Sequence, residues 1–309
     1  MMNVLFMGTP DFAVPCLEAL LQEGYTVKAV VTQPDKPKGR GHKMMPTPVK
    51  ECAQQHGIEV LQPKSLRDQA LLPDLQRLQP DGIVVVAYGK ILPKYVLDFP
   101  QFGCVNVHAS LLPKYRGAGP IQWCIINGET HTGVTTMHMG EGLDTGDMIF
   151  HEETEIAPEE TAGILFDRLS VMGAGLLIKT LKALEDGTAP RIPQEESLAS
   201  YAPMVTKETG HIDWNRSADE ILHLMRGTDP WPGCYTVMEG TVMKILRAGK
   251  TAGTGRPGQV LFADKRGLCV ACGGGEAVLI EELQMQGGKR MPAVSYLNGH
   301  EIPCGILLT

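Results

Sequence analysis

The sequence predicts an α/β chain in two parts, a domain built on a parallel-rich sheet followed by a small β-barrel. Three observations predict it. Short apolar runs alternate with capped helical stretches as far as Gly187, the pattern of strand–helix–strand units. The run Gly82-Ile83-Val84-Val85-Val86-Ala87 is continuously apolar and β-branched, as a central strand buried on both faces must be. From Tyr235 onward the chain becomes short strand-like runs punctuated by glycine, which suits a small barrel.

In order, residues 3–7 are an apolar run ending at Gly8, and Thr9-Pro10 reads as an N-cap with proline at the first helical position, opening a helix to about Leu21. Gly24 closes that helix and residues 27–31 form the next strand. Thr47-Pro48 repeats the cap for a helix ending at His56-Gly57, residues 58–61 are a short strand, and Ser65 opens a helix to about Leu78. Strands over 82–87, 104–108 and 133–139 follow, the last leading into an acidic, glycine-punctuated turn at 141–147. Pro158-Glu159-Glu160 starts a long helix with apolar residues at Ile164, Leu165, Leu169, Met172, Leu176, Leu177 and Leu181.

These elements divide the chain into a first domain over 1–188, a linker over 189–205 marked by Pro190, Pro193 and Pro203, and a second domain over 206–309. In the second domain Ser217 caps a helix to about Arg226, which Asp229-Pro230-Trp231-Pro232-Gly233 breaks. Strand-like runs then occupy 235–238, 241–248, 258–262, 268–271 and 277–283.

Composition sets outer bounds. The 309 residues suffice for two cores, and 43% hydrophobic with 20% charged residues is the balance of a globular protein. The start, MMNVLFMGTPDFAVP, lacks a basic n-region and is interrupted by Gly8, Pro10 and Asp11, so it reads as a strand rather than a signal peptide. No window approaches the roughly 18 apolar residues that span a bilayer, so the expected location is cytoplasmic, without membrane association. The eight cysteines are scattered, and the one CxxC, Cys269 to Cys272, has neither a second pair for zinc nor a helix start for redox work. The net charge of −7 argues against wholesale attraction to nucleic acid, but all of the acidic excess lies before Thr206, and local basic patches remain.

Residues 253–258 fit GxGxxG but lead into a strand, with Pro257 inside, so no helix N-terminus is offered to a pyrophosphate. The first strand–helix turn, Gly8-Thr9-Pro10-Asp11-Phe12, lacks the three glycines of a dinucleotide site, even though Asp35 ends the second strand. Asn106 and His108 are stronger candidates. They lie two residues apart near a strand end and so project to one side, at the carboxyl edge where open α/β sheets bind ligands. Asp144 lies in the turn after the next strand, on the same edge. An amide can donate to a developing oxyanion, worth about 3 to 4 kcal/mol. An imidazole can donate when protonated or take a proton from an attacking amine, and a neighbouring carboxylate orients it. This is equipment for acyl transfer without a covalent intermediate; singly, each residue has the blander reading of a core histidine or a turn former.

Ser110-Leu111-Leu112-Pro113 reads equally as a kinked loop sealing the core or, with Ile91-Leu92-Pro93, as an apolar slot for a flat ring. Between the second strand and its helix, Lys36, Lys38, Arg40, Lys43 and Lys50 face Asp35 alone, in a loop longer than ordinary. Such a run is usually a solvated loop, but at this edge it could embrace a polyanion. A second basic set, Lys244, Arg247, Lys250, Arg256, Lys265 and Arg266, lies on the barrel, where phosphate contacts are plausible.

The stretches FMGTPDFA, TQPDKPKGRGHKMMPTPVK, VVVAYGKILP, NVHASLLPKYRGAGPIQW, GVTTMHMGEGLDTGDM, IDW and PWPG together make the chain resemble the methionyl-tRNA formyltransferase family over essentially its full length. The resemblance implies a Rossmann-like formyltransferase domain joined to an OB-like barrel, with 10-formyltetrahydrofolate as donor and methionyl initiator tRNA as acceptor. It implies that Asn106, His108 and Asp144 are the catalytic set. Ser110, Leu111, Leu112 and Pro113 would contact the folate, with Val86, Tyr88, Ile91 and Leu92 on the neighbouring loop. Lys36, Lys38, Arg40 and Lys43 would face the tRNA. Neither a metal nor an obligatory protein partner is expected. Ala109, Tyr115 and Gly119 are mild departures outside the catalytic positions. The competing readings are a formyltransferase for an amino sugar or nucleotide amine, and an RNA-binding protein whose α/β half is an inactive relic.

Overall fold

The computed structural model describes residues 1–38 and 43–309, and the chain divides into two compact units. The first holds Met1–Pro120, His131–Glu155 and Phe166–Pro203; the second holds Ile121–Thr130, Ile156–Leu165 and Met204–Thr309. Two short segments assigned by the sequence to the first domain thus pack with the second unit.

In chain order the elements begin β1 (Asn3–Gly8), α1 (Val14–Gln22), β2 (Thr26–Val31), β3 (Lys36–Lys38), β4 (Lys43–Met45), α2 (Pro48–Gln55) and β5 (Val60–Leu61). They continue α3 (Leu72–Leu78), β6 (Gly82–Val86), α4 (Lys94–Leu97), β7 (Cys104–His108), β8 (Arg116–Gly117), α5 (Pro120–Ile126), β9 (His131–His138) and β10 (Met148–Glu155). The long α6 (Ala162–Glu185) and β11 (Tyr201–Ala202) follow.

The first unit is built on a seven-stranded sheet in the order β10-β9-β7-β6-β1-β2-β5. The five strands from β7 to β5 are parallel, whereas β9 runs antiparallel to β7 and β10 antiparallel to β9. Every residue of β6 is buried, which explains its uninterrupted apolar sequence. Edge strand β10 carries Glu152, Glu153 and Glu155 on a mostly exposed ribbon, and this charge hid it from apolar patterning. Helix α6 lies close to the sheet at Gly173, where an added Cβ would stand 2.9 Å from Val107 Cγ1.

Local signals held where no tertiary demand opposed them. Thr47 caps α2, accepting the Lys50 amide at 3.2 Å. Thr9 does not cap: its hydroxyl donates to the Tyr88 carbonyl instead, and a 3-10 turn at Asp11–Ala13 precedes α1. Ser65 opens no helix, because Asp68 and Gln69 adopt left-handed backbone (φ 54 and 56°), which interrupts any helix before Leu72. The stretch read as a linker is instead an ordered strap on the first unit. Ile192 and Met148 exchange backbone hydrogen bonds at 2.9 Å, Arg116 N donates to Ser200 O at 2.8 Å, and β11 pairs with β8.

In the second unit, α7 (Ala218–Gly227) opens on a capping box between Ser217 and Glu220. The antiparallel sheet follows as β12 (Cys234–Met238), β13 (Thr241–Ala252), β14 (Val260–Asp264), β15 (Gly267–Ala271), β16 (Glu276–Met285) and β17 (Met291–Pro292), then α8 (Ala293–Leu297). Its order is β12-β13-β16-β15-β14, with β17 on β16, the antiparallel arrangement of a small barrel. Register shifts near Ile245, Arg247 and Ala248 let the long β13 bend around a core that includes Trp214, Ile221, Met243, Val270 and Ile280. Half of the six-residue basic set on this sheet is paired: Arg247 with Glu281, Lys250 with Asp219 and Glu276, and Arg266 with Asp264. These three residues are therefore not open to phosphate: the acids on Arg247 and Lys250 come from β16 and α7, beyond sequence adjacency, and that on Arg266 stands two residues away.

Two glycines on α6 test this packing. Gly175 meets nothing within 4 Å of a built Cβ, so Gly175→Ala should raise stability by about 0.5–1 kcal/mol through helix propensity. Gly173→Ala should instead lower it by about 1–3 kcal/mol, because the sheet beneath cannot yield. Urea unfolding of the two variants reads the difference in sign.

Candidate active site

Asn106 and His108 leave the same side of β7, held parallel to β6 and antiparallel to β9, where His108 stands opposite Thr135. Both side chains are almost fully buried. His108 Nε2 lies 2.9 Å from the Tyr115 carbonyl oxygen. A carbonyl only accepts, so Nε2 carries the proton, and in the neutral ring Nδ1 presents its lone pair to the site. Asp144 Oδ2 is 3.8 Å from that Nδ1, too far for a hydrogen bond but close enough to stabilise a proton arriving there. Among the described residues the Asn106 side chain has no hydrogen-bond partner, so its amide is available to a ligand.

Two loops place these groups. Residues 109–117 return to the strand end, with Tyr115 in left-handed backbone (φ 60°). Thr135 pins the return from β9: its hydroxyl donates to Ser110 O at 2.7 Å and accepts from Leu112 N at 3.2 Å. Ser110 Oγ donates to Lys114 O at 2.7 Å. The second loop follows β9 and carries Asp144, also left-handed (φ 52°), whose Oδ2 accepts from Gly117 N at 2.8 Å. Gly146 is required there, because a Cβ would stand 1.7 Å from the His138 carbonyl oxygen.

The loop after β6 borders the same edge. Ala87 and Gly89 are left-handed (φ 47 and 80°), and the Tyr88 carbonyl accepts from Thr9 Oγ1 and Gln33 Nε2, both at 3.1 Å. Beyond β2, the basic stretch forms a β3–β4 hairpin; Arg40 lies outside the described residues. Its base is clamped: Lys50 Nζ donates to Asp35 Oδ2 at 2.7 Å and to Gln62 Oε1 at 2.9 Å, and Gln62 Nε2 donates to Asp35 Oδ1 at 2.7 Å. Lys50 and then Gln62 hold the Asp35 carboxyl below its usual range. Burial, and then the charge of Lys36, depress the Lys90 ammonium, so the hairpin's charge is felt at the loop after β6.

A profile of the family described as Formyl transferase matches residues 2–181, and one described as Formyl transferase, C-terminal domain, matches 204–301. A protein of Geotalea uraniireducens named methionyl-tRNA formyltransferase is 52% identical over 99% of this chain and 98% of its own length. One of the same name from Alkaliphilus oremlandii is 53% identical, covering 99% of each. The chain belongs to the methionyl-tRNA formyltransferase family. Solved structures at lower identity share the fold. An N-formyltransferase from Helicobacter canadensis, in complex with folinic acid and dTDP-3-aminofucose, aligns with TM-score 0.68 at 20% identity over 91% of this chain and 99% of that one. HypX from Aquifex aeolicus in complex with tetrahydrofolic acid aligns with TM-score 0.64 at 16% identity, over 98% of this chain and 50% of that one.

The sequence-derived residues separate on inspection. Asn106 and His108 share one side of β7 and Asp144 reaches to 3.8 Å from His108, although β9, expected to open its turn at the carboxyl edge, runs antiparallel to β7 and opens it at the other. Leu111 and Pro113 are partly exposed and Ile91 is 80% exposed, while Ser110 and Leu112 are buried within their loop. Tyr88, Leu92 and Val86 have buried side chains, the first two packed in the core under the sheet, so only their backbone can meet a ligand. The Tyr88 hydroxyl has no partner among the described residues, and burial pushes the phenol up to about 12. Lys36 is exposed on the hairpin. Sequence reasoning missed Thr135, whose role depends on a partner strand. Among the described residues no group of three or more His, Cys, Asp or Glu converges as a metal site, and no helix is long and apolar enough to cross a membrane.

Thr135→Val keeps the shape but orphans a buried amide and a buried carbonyl. It should cost about 1–3 kcal/mol and weaken binding of a folate analogue, measured by thermal unfolding and fluorescence titration.

Proposed function

We propose that this chain transfers a formyl group from 10-formyltetrahydrofolate to the α-amine of methionyl initiator tRNA. The observation that carries the reading is identity above 50% with relatives of that name along both units, the second included. The free amide and open Nδ1 at the end of β7 support the chemistry.

In this reading the deprotonated methionine amine attacks the formyl carbon, forming the C–N bond of a tetrahedral intermediate. Asn106 donates its amide N–H to the oxyanion. His108 Nδ1 takes the proton the amine nitrogen sheds, and Asp144 stabilises the imidazolium across 3.8 Å. The imidazolium then donates a proton as the oxyanion returns its electron pair, and protonated N10 leaves as tetrahydrofolate. In the donor's half of the site, Leu111, Pro113 and Ile91 offer apolar surface to a flat ring, and the loops after β6 and β7 offer backbone polar groups. The basic stretch after β2, with Lys36, Lys38, Arg40 and Lys43 in its sequence, is the part assigned to the RNA.

The test is formyl transfer to charged initiator tRNA, elongator Met-tRNA and small amino-sugar nucleotides. Initiator Met-tRNA should be strongly preferred; transfer to the sugar nucleotide alone would overturn the reading. Asn106→Ala and His108→Ala should each lower kcat by about 100-fold or more with folding intact. Near wild-type turnover in either would refute the assigned roles. Arg40→Leu should raise KM for the tRNA and leave the folate analogue's affinity unchanged; an unaltered rate with tRNA would remove the hairpin from the acceptor site.

A further inference from the structure

The strap that the sequence disguises as a linker reaches the catalytic loop through one side chain. Gln194 Nε2 lies 2.8 Å from both the Asp144 and the Gly146 carbonyl oxygens. Its other amide atom, Oε1, accepts from Arg116 Nε at 3.1 Å. Arginine only donates, so the amide can face just one way, with both N–H bonds turned to the loop. Arg116 is itself buried, and its Nη1 donates to both carboxylate oxygens of Glu196, at 3.0 and 2.9 Å. Strap, guanidinium and amide thus form a chain of charged and neutral hydrogen bonds ending on the loop.

That loop has a specific need. Asp144 is a non-glycine residue with φ 52°, a conformation that persists only when its surroundings impose it. Gly117 N holds the carboxylate of Asp144, and Gln194 holds its backbone on the other side of the same residue. We propose that Gln194, oriented by Arg116 and Glu196, is a positioning residue that fixes Asp144 at its distance from His108. This rests on the catalytic role given to Asp144 above.

Three proteins decide it: wild type, Gln194→Met, which keeps the length and loses both donors, and Gln194→Glu. In Gln194→Met, kcat for formyl transfer should fall about 10- to 100-fold, the cost of an ångström of misplacement. KM for the donor should change less than about twofold, since the folate contacts are elsewhere. In Gln194→Glu a carboxylate faces two carbonyl oxygens, and protonation restores one donor. The Arg116 charge beside it favours the carboxylate, so the variant's activity relative to wild type should rise only as pH falls into the acidic carboxylate range, a response that loosened packing would not produce. Hydrogen exchange of a peptide covering 139–148 should quicken in Gln194→Met and needs no turnover. Wild-type kcat in Gln194→Met, a flat pH ratio in Gln194→Glu, or unchanged loop exchange would each overturn the proposal. A wild-type chain that formylates no Met-tRNA would refute the functional reading, while the exchange measurement still judges whether Gln194 holds the loop.

Discussion

The hydrogen bond from His108 Nε2 to the Tyr115 carbonyl decides what the rest of the site can do. It uses the one proton of a neutral imidazole and so turns Nδ1, toward Asp144, into the reactive nitrogen. The bond in turn demands that the chain double back within seven residues of His108 and present a carbonyl to the strand it has just left. That reversal leaves Tyr115 in left-handed backbone, held by Ser200 Oγ on its amide at 2.9 Å and by Thr135 on the loop before it. Strained backbone at a site is stable only when several independent partners impose it. Here those partners come from β9 and from the strap, so two parts of the chain distant in sequence converge on one tautomer.

The distribution of such partners explains what could be read in advance. Asn106 and His108 followed from strand alternation and the carboxyl-edge rule, both local or topological facts. Asp144 did not: β9 runs antiparallel to β7, with His138 opposite Val105, so its acidic turn leaves from the other end of β7 and the loop itself brings the carboxylate to His108. Thr47 and Ser217 capped as their neighbours suggested; the Thr47 hydroxyl also meets that of Thr32 at 2.8 Å, yet still accepts the Lys50 amide. Thr9 failed because the Tyr88 carbonyl, nearly eighty residues away, took its hydroxyl. Gln194 was invisible for the same kind of reason: its proline-rich surroundings suit a linker, and only the fold sets extended backbone against β8 and β10.

Charge misled at half of the basic set in the second unit, and the cause is general. A tally along the sequence counts neighbours, whereas an ion pair forms between strands. Arg247 and Lys250 on β13 find their acids on β16 and α7. Asp35, the one acid in the stretch 33–50, is matched by Lys50 at the hairpin's base, so this pair cancels.

This bears on how a chain of net charge −7 could accept a polyanion. The exposed acids of β10 lie at one edge of the seven-stranded sheet, and the hairpin leaves β2, next to the other edge. Five strand spacings separate β10 from β2, about 24 Å. That is roughly three Debye lengths at physiological salt, so charges on β10 are largely screened from a phosphate at the hairpin. Under the function proposed above, an RNA end approaching there would meet the local excess of lysine in the sequence rather than the molecular sum. The clamp of Lys50, Asp35 and Gln62 then has a mechanical consequence: it fixes the hairpin's base beside the loop after β6, so a cationic arm is rooted at the edge where Asn106 and His108 emerge. The acidic remainder of the unit does not weaken that arm, and it opposes indiscriminate binding elsewhere on the sheet.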